Sequence, residues 1–225
     1  MPDTKGHLLP VYVTVDESAS MNPHASELKA GLESLYSELR VNPMVAAKVR
    51  LAVVGFSDDV AVRLPLCDVR EQPAMPPTGS GGSTSYRAAF TDLMVRIPAD
   101  VATLKQQNYI VHRPVVFFLS DGQPNGGEDW RGPLAQLTDR GVTVGAPNVI
   151  ACGVGDADPA TIVEVATADQ FGLIAVPGAD IGAAIAGFFG KLTQSVIHSG
   201  QTLATGSPEL AIEPPEQFVL AIDVV

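Results

Sequence analysis

The sequence predicts an α/β fold in which helices cover both faces of a doubly wound, mostly parallel central sheet. Apolar runs of strand length alternate along the chain with segments of helical period, the pattern typical of such sheets. Several runs are apolar throughout, as central strands buried on both faces are. Hydrophobic residues make up 46% of the 225 residues and charged residues only 17%, so the chain can build one large core.

Six strands are predicted from these apolar runs, at residues 8–15, 49–56, 60–66, 113–119, 148–154 and 171–176. The third run differs from the others because it contains Arg63 and Pro65. A charged side chain and a residue without a backbone N–H are tolerated best at the border of a sheet. The sequence therefore predicts that the third strand is an edge strand.

Helical segments lie between these strands. Leucines at positions 28, 32, 35 and 39 recur at helical spacing, and Asn42-Pro43 ends this first helix. A second helix is expected over residues 85–107 with an interruption near Pro98, and a third over 130–140. Asp158 and Pro159 have the order of an N-cap and a first helical residue, so a helix is expected over 160–168. A last helix covers 179–197.

The chain is divided by composition into a domain over residues 1–198 and a C-terminal tail over 199–225. The tail is low in helix formers and interrupted by prolines, and it ends in the apolar run FVLAIDVV. We expect this run to be extended or to form an added strand.

Charge and hydropathy exclude two classes of partner. The chain has 25 Asp+Glu against 14 Lys+Arg, a formal net charge of −11, and no basic stripe that would bind nucleic acid. No apolar run approaches the roughly 18 residues of a membrane span, and the N-terminus lacks a signal-peptide core, so a cytoplasmic protein without membrane association is expected. Cys67 and Cys152 are expected to be free, buried thiols.

Polar side chains follow two strands and precede one helix. Asp16, Ser18 and Ser20 follow the first strand, Ser120-Asp121-Gly122 ends the fourth, and Thr84 lies in a glycine-rich loop before the second helix. Ligands of open α/β sheets bind beyond the carboxyl ends of the strands, where these side chains are expected to meet. Carboxylates and hydroxyls without His or Cys suit Mg²⁺, Mn²⁺ or Ca²⁺ better than zinc or copper.

These motifs, in this order, resemble a von Willebrand factor type A (vWA) domain, a Rossmann-like fold, over roughly residues 8–198. The family's metal-ion-dependent adhesion site (MIDAS) is built from a D-x-S-x-S motif, a threonine loop and an S/T-D-G motif. The resemblance implies that Ser18 and Ser20 bind the metal directly, Thr84 directly or through water, and Asp16 and Asp121 mostly through water. It also implies that the sixth position accepts an acidic oxygen of a protein partner.

Within that family, the segments LPVYVTVDESASM, GGSTSYRAAF and VVFFLSDGQPN are similar to the bacterial TerY-like group, which is associated with tellurite-resistance and stress-response gene clusters. Glu17, Ala19 and Arg87 depart from the family pattern. Glu17 adds negative charge near the site. Arg87 is a cation that could weaken metal binding or attract a partner's carboxylate.

Other interpretations of the same residues stay open. Asp16, Ser18 and Ser20 could cap the first helix, Thr84 and Ser85 the second, and Asp121-Gly122 could form a turn, although capping and metal binding can coexist.

Two further alternatives concern function. A hydrolase or phosphotransferase that uses the same metal would need a general base, and only Glu17 qualifies by position. The phosphatase pattern D-x-D is not met at Asp16, since Ser18 stands where the second Asp would be. A metal-independent scaffold that assembles through its tail is the other alternative. We expect a binding module rather than an enzyme.

Overall fold

The computed structural model describes residues 5–72, 74–203 and 213–224, which contain eight strands and six α-helices. The strands are β1 (His7–Asp16), β2 (Val49–Phe56), β3 (Val60–Cys67), β4 (Ile110–Val111), β5 (Val115–Ser120), β6 (Asn148–Gly153), β7 (Gly172–Ala175) and β8 (Phe218–Leu220). The α-helices are α1 (Ala25–Val41), α2 (Pro43–Ala46), α3 (Tyr86–Gln106), α4 (Arg131–Thr138), α5 (Pro159–Val165) and α6 (Ile181–Thr202).

The strands form one mixed sheet in the order β3-β2-β1-β5-β6-β7-β8, and the short β4 pairs with the start of β1. β1 lies between β2 and β5 and is parallel to both, and β6 and β7 continue the parallel part. Only β3 and β8, at the two edges, pair in antiparallel orientation among the described strands. The predicted fold class is confirmed, and so is the edge position of the strand that contains Arg63 and Pro65.

Two hydrophobic cores lie on opposite faces of the sheet. Val11, Val13 and Val15 of β1 face α1, α2 and α6. Tyr12 of β1 and Phe118 of β5 face α3, α4 and α5 on the other side. Alternate residues of a strand point to opposite faces, so an uninterrupted apolar strand supplies both cores. The helices on both faces therefore fix the carboxyl ends of β1 and β5 next to each other.

The predicted interruption of the second helix near Pro98 is wrong. α3 runs without a break from Tyr86 to Gln106 with Pro98 inside it. Proline costs a helix one backbone hydrogen bond and crowds the preceding turn. Leu93, Ile97 and Val101 are fully buried on the same face of α3, and we infer that this packing compensates for the loss.

The C-terminal part of the chain adds a strand to the sheet. α6 continues to Thr202, beyond the predicted end at residue 197, and β8 pairs with β7, with Val219 opposite Ile174. Residues 204–212 lie outside the described residues, and the division into 1–198 and 199–225 stays a prediction. Both thiols are free, and Cys152 is buried as expected, whereas Cys67 is only half-buried because it lies on the edge strand β3. Within the described ranges, no helix is both long and apolar enough to cross a membrane.

The close contact between α1 and α6 gives a test of the packing. A methyl group at Gly31 would overlap the ring of Phe189, whereas a methyl group at Gly190 of α6 would meet nothing. We expect Gly31→Ala to lower the free energy of unfolding by about 1–3 kcal/mol, as overpacked cores do. Gly190→Ala should leave it unchanged or raise it by up to about 1 kcal/mol, because alanine favours helix more than glycine. Urea denaturation measures both, and equal effects of the two substitutions would contradict this packing.

Candidate metal centre

The carboxyl ends of β1 and β5, two neighbouring strands in the middle of the sheet, lie side by side. Val15 of β1 is opposite Leu119 of β5 in the parallel register. The Ser120 hydroxyl donates a hydrogen bond of 2.6 Å to Oδ2 of Asp16, and both residues are fully buried. The last residues of two neighbouring strands are thus joined through their side chains.

Hydrogen bonds connect four of the five predicted metal ligands. The Ser18 N–H donates to Oδ1 of Asp16 at 2.9 Å, and the hydroxyl oxygens of Ser18 and Ser20 lie 3.0 Å apart. The Ser20 hydroxyl then donates to Oδ1 of Asp121 at 2.8 Å. Ser18 precedes the 3₁₀ helix Ala19–His24, but its side chain makes no capping hydrogen bond. Its hydroxyl faces the site instead of capping this helix.

Thr84, the fifth predicted ligand, lies beside the Asp121-Gly122 turn. Its Oγ1 atom is 3.6 Å from the position that a Cβ atom would occupy at Gly122, and Thr84 itself is buried. Asn125 fixes its backbone, because the Asn125 side-chain oxygen accepts from the Thr84 N–H at 3.2 Å and the Asn125 N–H donates to the Thr84 carbonyl at 3.0 Å. The cap of α3 is Ser85, whose hydroxyl accepts from the Ala88 N–H.

The two carboxylates of the site are buried, and the one basic group that acts on them among the described residues is His24, whose charge opposes the rise in the pKa of Asp121. Burial raises the pKa of Asp16 to about 6, although hydrogen bonds from Ser120 and Ser18 oppose the shift. Burial also raises the pKa of Asp121. Neither forms an ion pair within the described part of the chain, and no group of three His, Cys, Asp or Glu residues there could hold a metal. A set of two carboxylates and three hydroxyls fits a hard divalent cation, which would supply the missing positive charge.

Comparison with known proteins places the fold in a family. The family model of the von Willebrand factor type A domain matches residues 11–175 of this chain. This chain belongs to the von Willebrand factor type A domain family. A comparison with curated proteins finds no match.

Solved structures share this fold at low sequence identity. The open conformation of the pilus adhesin SpaC from Lactobacillus rhamnosus GG aligns with a TM-score of 0.67 and 14% identity, over 87% of this chain and 31% of the adhesin. The proximal thread matrix protein 1 from the mussel byssus, with a zinc-occupied MIDAS motif, aligns with a TM-score of 0.61 and 16% identity, over 86% of this chain and 48% of the mussel protein. A von Willebrand factor type A protein from Catenulispora acidiphila aligns with a TM-score of 0.58 and 16% identity, over 86% of this chain and 43% of that protein. The chain thus spans less than half of each of these proteins.

Glu17 of the vWA domain has a structural role that the sequence analysis missed. Its carboxylate is 3% exposed and accepts from Nη2 of Arg63 at 2.6 Å and from the Gly79 N–H at 2.9 Å. Its backbone carbonyl accepts from the Gly81 N–H, and the Ala19 N–H donates to Gly82. Glu17 therefore fastens the glycine-rich loop next to the D-x-S-x-S turn. The sequence signal for this pair is Arg63 on the predicted edge strand, but the local sequence does not show which carboxylate Arg63 contacts.

Other residues that the sequence analysis did not assign hold the start of α3. The carboxylate of Glu128 accepts from the Ser85 hydroxyl at 2.8 Å and from the Tyr86 N–H at 2.9 Å. An acidic group at a helix N-terminus is favourable because free N–H groups point at it. Arg87, in the first turn of α3, is exposed and makes no ion pair within the described ranges. Its side chain can therefore reach solvent.

Asp16→Asn should stabilise the metal-free vWA domain at neutral pH. The pKa of Asp16 is raised by folding, so its contribution to stability is fully present below the unfolded pKa near 3.8 and is lost as the pH rises through about 6. Asparagine has the same shape without the charge: its oxygen can accept from the Ser18 N–H, and its amide group can donate to the Ser120 hydroxyl oxygen, which reverses that hydrogen bond. We expect a gain of about 1–3 kcal/mol at pH 8. Chelator-treated protein should be compared by urea denaturation between pH 4 and 8. Asp58→Asn, at an exposed carboxylate whose pKa is lowered, should give no gain, and lower stability of Asp16→Asn at pH 8 would contradict the account.

Arg63→Gln should destabilise the domain because it leaves the Glu17 carboxylate buried without its cation. We expect a loss of about 2–4 kcal/mol in the free energy of unfolding. Arg131→Gln is the matched control, since the Arg131–Glu164 pair is exposed and should contribute less than about 1 kcal/mol. Chemical denaturation measures both variants, and similar losses would show that the Glu17–Arg63 pair is not critical.

Proposed function

We propose that this vWA domain is a divalent-metal-dependent protein-binding module whose metal is Mg²⁺, with Mn²⁺ or Ca²⁺ as substitutes. Asp16, Ser18, Ser20, Thr84 and Asp121 would hold the ion. The observation that carries the proposal is the pair of buried carboxylates, Asp16 and Asp121, bridged by serine hydroxyls and lacking an ion pair within the described residues. An uncompensated buried charge is costly, and a bound cation removes that cost.

The residues divide into two kinds of ligand. The neutral hydroxyls of Ser18, Ser20 and Thr84 would contact the ion, and Asp16 and Asp121 would act mostly through water. A bound divalent cation in such a shell keeps most of its charge and can accept a carboxylate oxygen from a protein partner. Ser20 is exposed, which leaves this side of the site open to a partner. The zinc-occupied MIDAS motif of the mussel protein and the adhesin role of SpaC support the proposal.

The partner would be recognised at short range. The chain has a net charge of −11, which repels an acidic protein at a distance. Affinity would therefore depend on the metal contact and on the shape of the surface around it.

The arrangement does not favour a metal-dependent hydrolase. Glu17 was the one candidate base, and its carboxylate already binds Arg63 and the Gly79 N–H. A general base needs a free lone pair within reach of the attacking water. We therefore propose a binding function without catalysis.

We propose three narrower assignments from the sequence alone. These are the TerY-like bacterial subgroup, a role in tellurite resistance or stress response, and a cytoplasmic location. The family match and the structural neighbours support the vWA domain without distinguishing this subgroup.

Calorimetric titration of Mg²⁺, Mn²⁺, Ca²⁺ and Zn²⁺ into chelator-treated protein tests the metal site. We expect one saturable site, with affinity reduced at least about tenfold by Ser18→Ala or Thr84→Ala, because each change removes one hydroxyl ligand. Thr103→Ala is the control, since this hydroxyl bonds the Ala99 carbonyl within α3. Far-ultraviolet circular dichroism should show that every variant is folded. An affinity that is the same in all variants would contradict the site.

The open position can be tested with Mn²⁺ alone. Water bound to protein-held Mn²⁺ accelerates water-proton relaxation, and a carboxylate that replaces this water reduces the effect. We expect a Glu-containing peptide, added in excess, to lower the relaxation enhancement of the Mn²⁺-loaded domain, and the matching Gln peptide not to do so. Equal effects of the two peptides would contradict recognition of a partner carboxylate while leaving the metal site intact.

A further inference from the structure

A polar cavity lies at the amino ends of the parallel strands, opposite the candidate metal centre at their carboxyl ends. It has a volume of about 260 Å³, and its walls are the C-terminal half of α3, the segment between β4 and β5, and the loop before β6. These segments precede the amino ends of β5 and β6, whereas Ser120 is the last residue of β5 and Asp121 follows it. The two sites are therefore separated by the length of the strands. The cavity is below the range of about 300–1,000 Å³ typical of drug-sized ligands, so it suits a small ligand.

The lining of this cavity is basic. Lys105, His112, Arg113 and Arg140 contribute to it, and none of its lining residues is acidic. This composition is unexpected in a chain with 25 Asp+Glu and only 14 Lys+Arg. Seven other Lys and Arg side chains form ion pairs with carboxylates, namely Lys29, Arg50, Arg63, Arg70, Arg96, Arg131 and Lys191.

The basic side chains of the cavity are oriented without carboxylates. Nη1 of Arg113 donates to the Ala146 carbonyl at 2.7 Å, and Nη2 of Arg140 is 3.5 Å from Oδ1 of Asn148. Within the described ranges, neither Arg113, Arg140 nor Lys105 forms an ion pair. Burial lowers the pKa of Arg113, and the charge of Arg140 lowers it further, because the two guanidinium groups repel each other. An anion in the cavity would remove this repulsion.

We propose that this basic cavity, formed by Lys105, Arg113 and Arg140, binds a phosphate group. Three cationic groups offer a formal charge of +3, and a phosphate dianion offsets two of these charges, whereas a single carboxylate offsets one. Guanidinium groups present several N–H donors in a plane that matches phosphate oxygens, and lysine adds a mobile ammonium. The His112 ring at the cavity wall can donate or accept one further hydrogen bond. The proposal is independent of the metal centre.

Phosphate titration followed by amide nuclear magnetic resonance tests this site in the full chain. At constant ionic strength set with chloride, inorganic phosphate should give saturable shifts centred on residues 111–114 and 140–146. We expect Arg140→Gln and Lys105→Gln each to weaken binding by about fivefold or more, because each removes a charge-assisted hydrogen bond. Lys29→Gln is the control for net charge, since Lys29 is exposed on α1. Shifts that do not saturate, or equal weakening by all three substitutions, would overturn the proposal.

Free phosphoserine and citrate identify the source and the chemistry of the anion. Binding of phosphoserine and inorganic phosphate at these residues would support a phosphate group carried by a larger molecule. Binding of inorganic phosphate alone would support the free ion as the ligand. Tighter binding of citrate than of either phosphate compound would overturn phosphate as the ligand of this cavity.

Discussion

The buried hydrogen bond from the Ser120 hydroxyl to the Asp16 carboxylate joins the ends of two parallel strands. It forms only if β1 lies next to β5 in the observed register, which the two hydrophobic cores enforce from opposite faces of the sheet. The Asp16 carboxylate also accepts a hydrogen bond from the Ser18 N–H. The Ser18 hydroxyl is hydrogen-bonded to the Ser20 hydroxyl, which donates to the Asp121 carboxylate. The geometry of the candidate metal centre therefore follows from strand pairing, because rigid strand ends fix the positions of its ligands.

Asp16 and Glu17 are neighbours in sequence, but their carboxylates have opposite surroundings. Consecutive residues at a strand end point in different directions, and Glu17 is directed towards β2 and the glycine-rich loop. It lies so close to Gly55 that any larger side chain there would overlap its carboxylate. Arg63 neutralises Glu17, whereas Asp16 has a hydrogen-bonded but uncompensated charge. Glu17 therefore stabilises the fold, whereas Asp16 is available to bind a metal ion.

Much of the fold could be predicted from sequence because strand burial and helical period are local signals. The six predicted strands all form, with ends that differ by at most two residues from the predicted bounds, and β3 lies at the predicted edge position. The N-cap of α5 is Asp158, as expected. The break at Pro98 was wrong because tertiary packing of α3 outweighs the local cost of proline. The pairing of Glu17 with Arg63 spans 46 residues, and no local pattern specifies it. For the same reason Asn125 and Glu128, which hold the loop before α3, were not found from the sequence.

The candidate site residues could be predicted because polar side chains that follow buried parallel strands collect beyond the carboxyl ends of those strands. Their arrangement for metal binding is most directly tested by a crystal structure of the Mn²⁺-soaked domain, with anomalous scattering used to locate the ion. The account predicts one strong anomalous peak within about 2–3 Å of the Ser18 and Ser20 hydroxyl oxygens, with Thr84 and Asp121 around it. A peak elsewhere, for example at the His7–His112 pair, with no density beside Ser18 and Ser20, would contradict it.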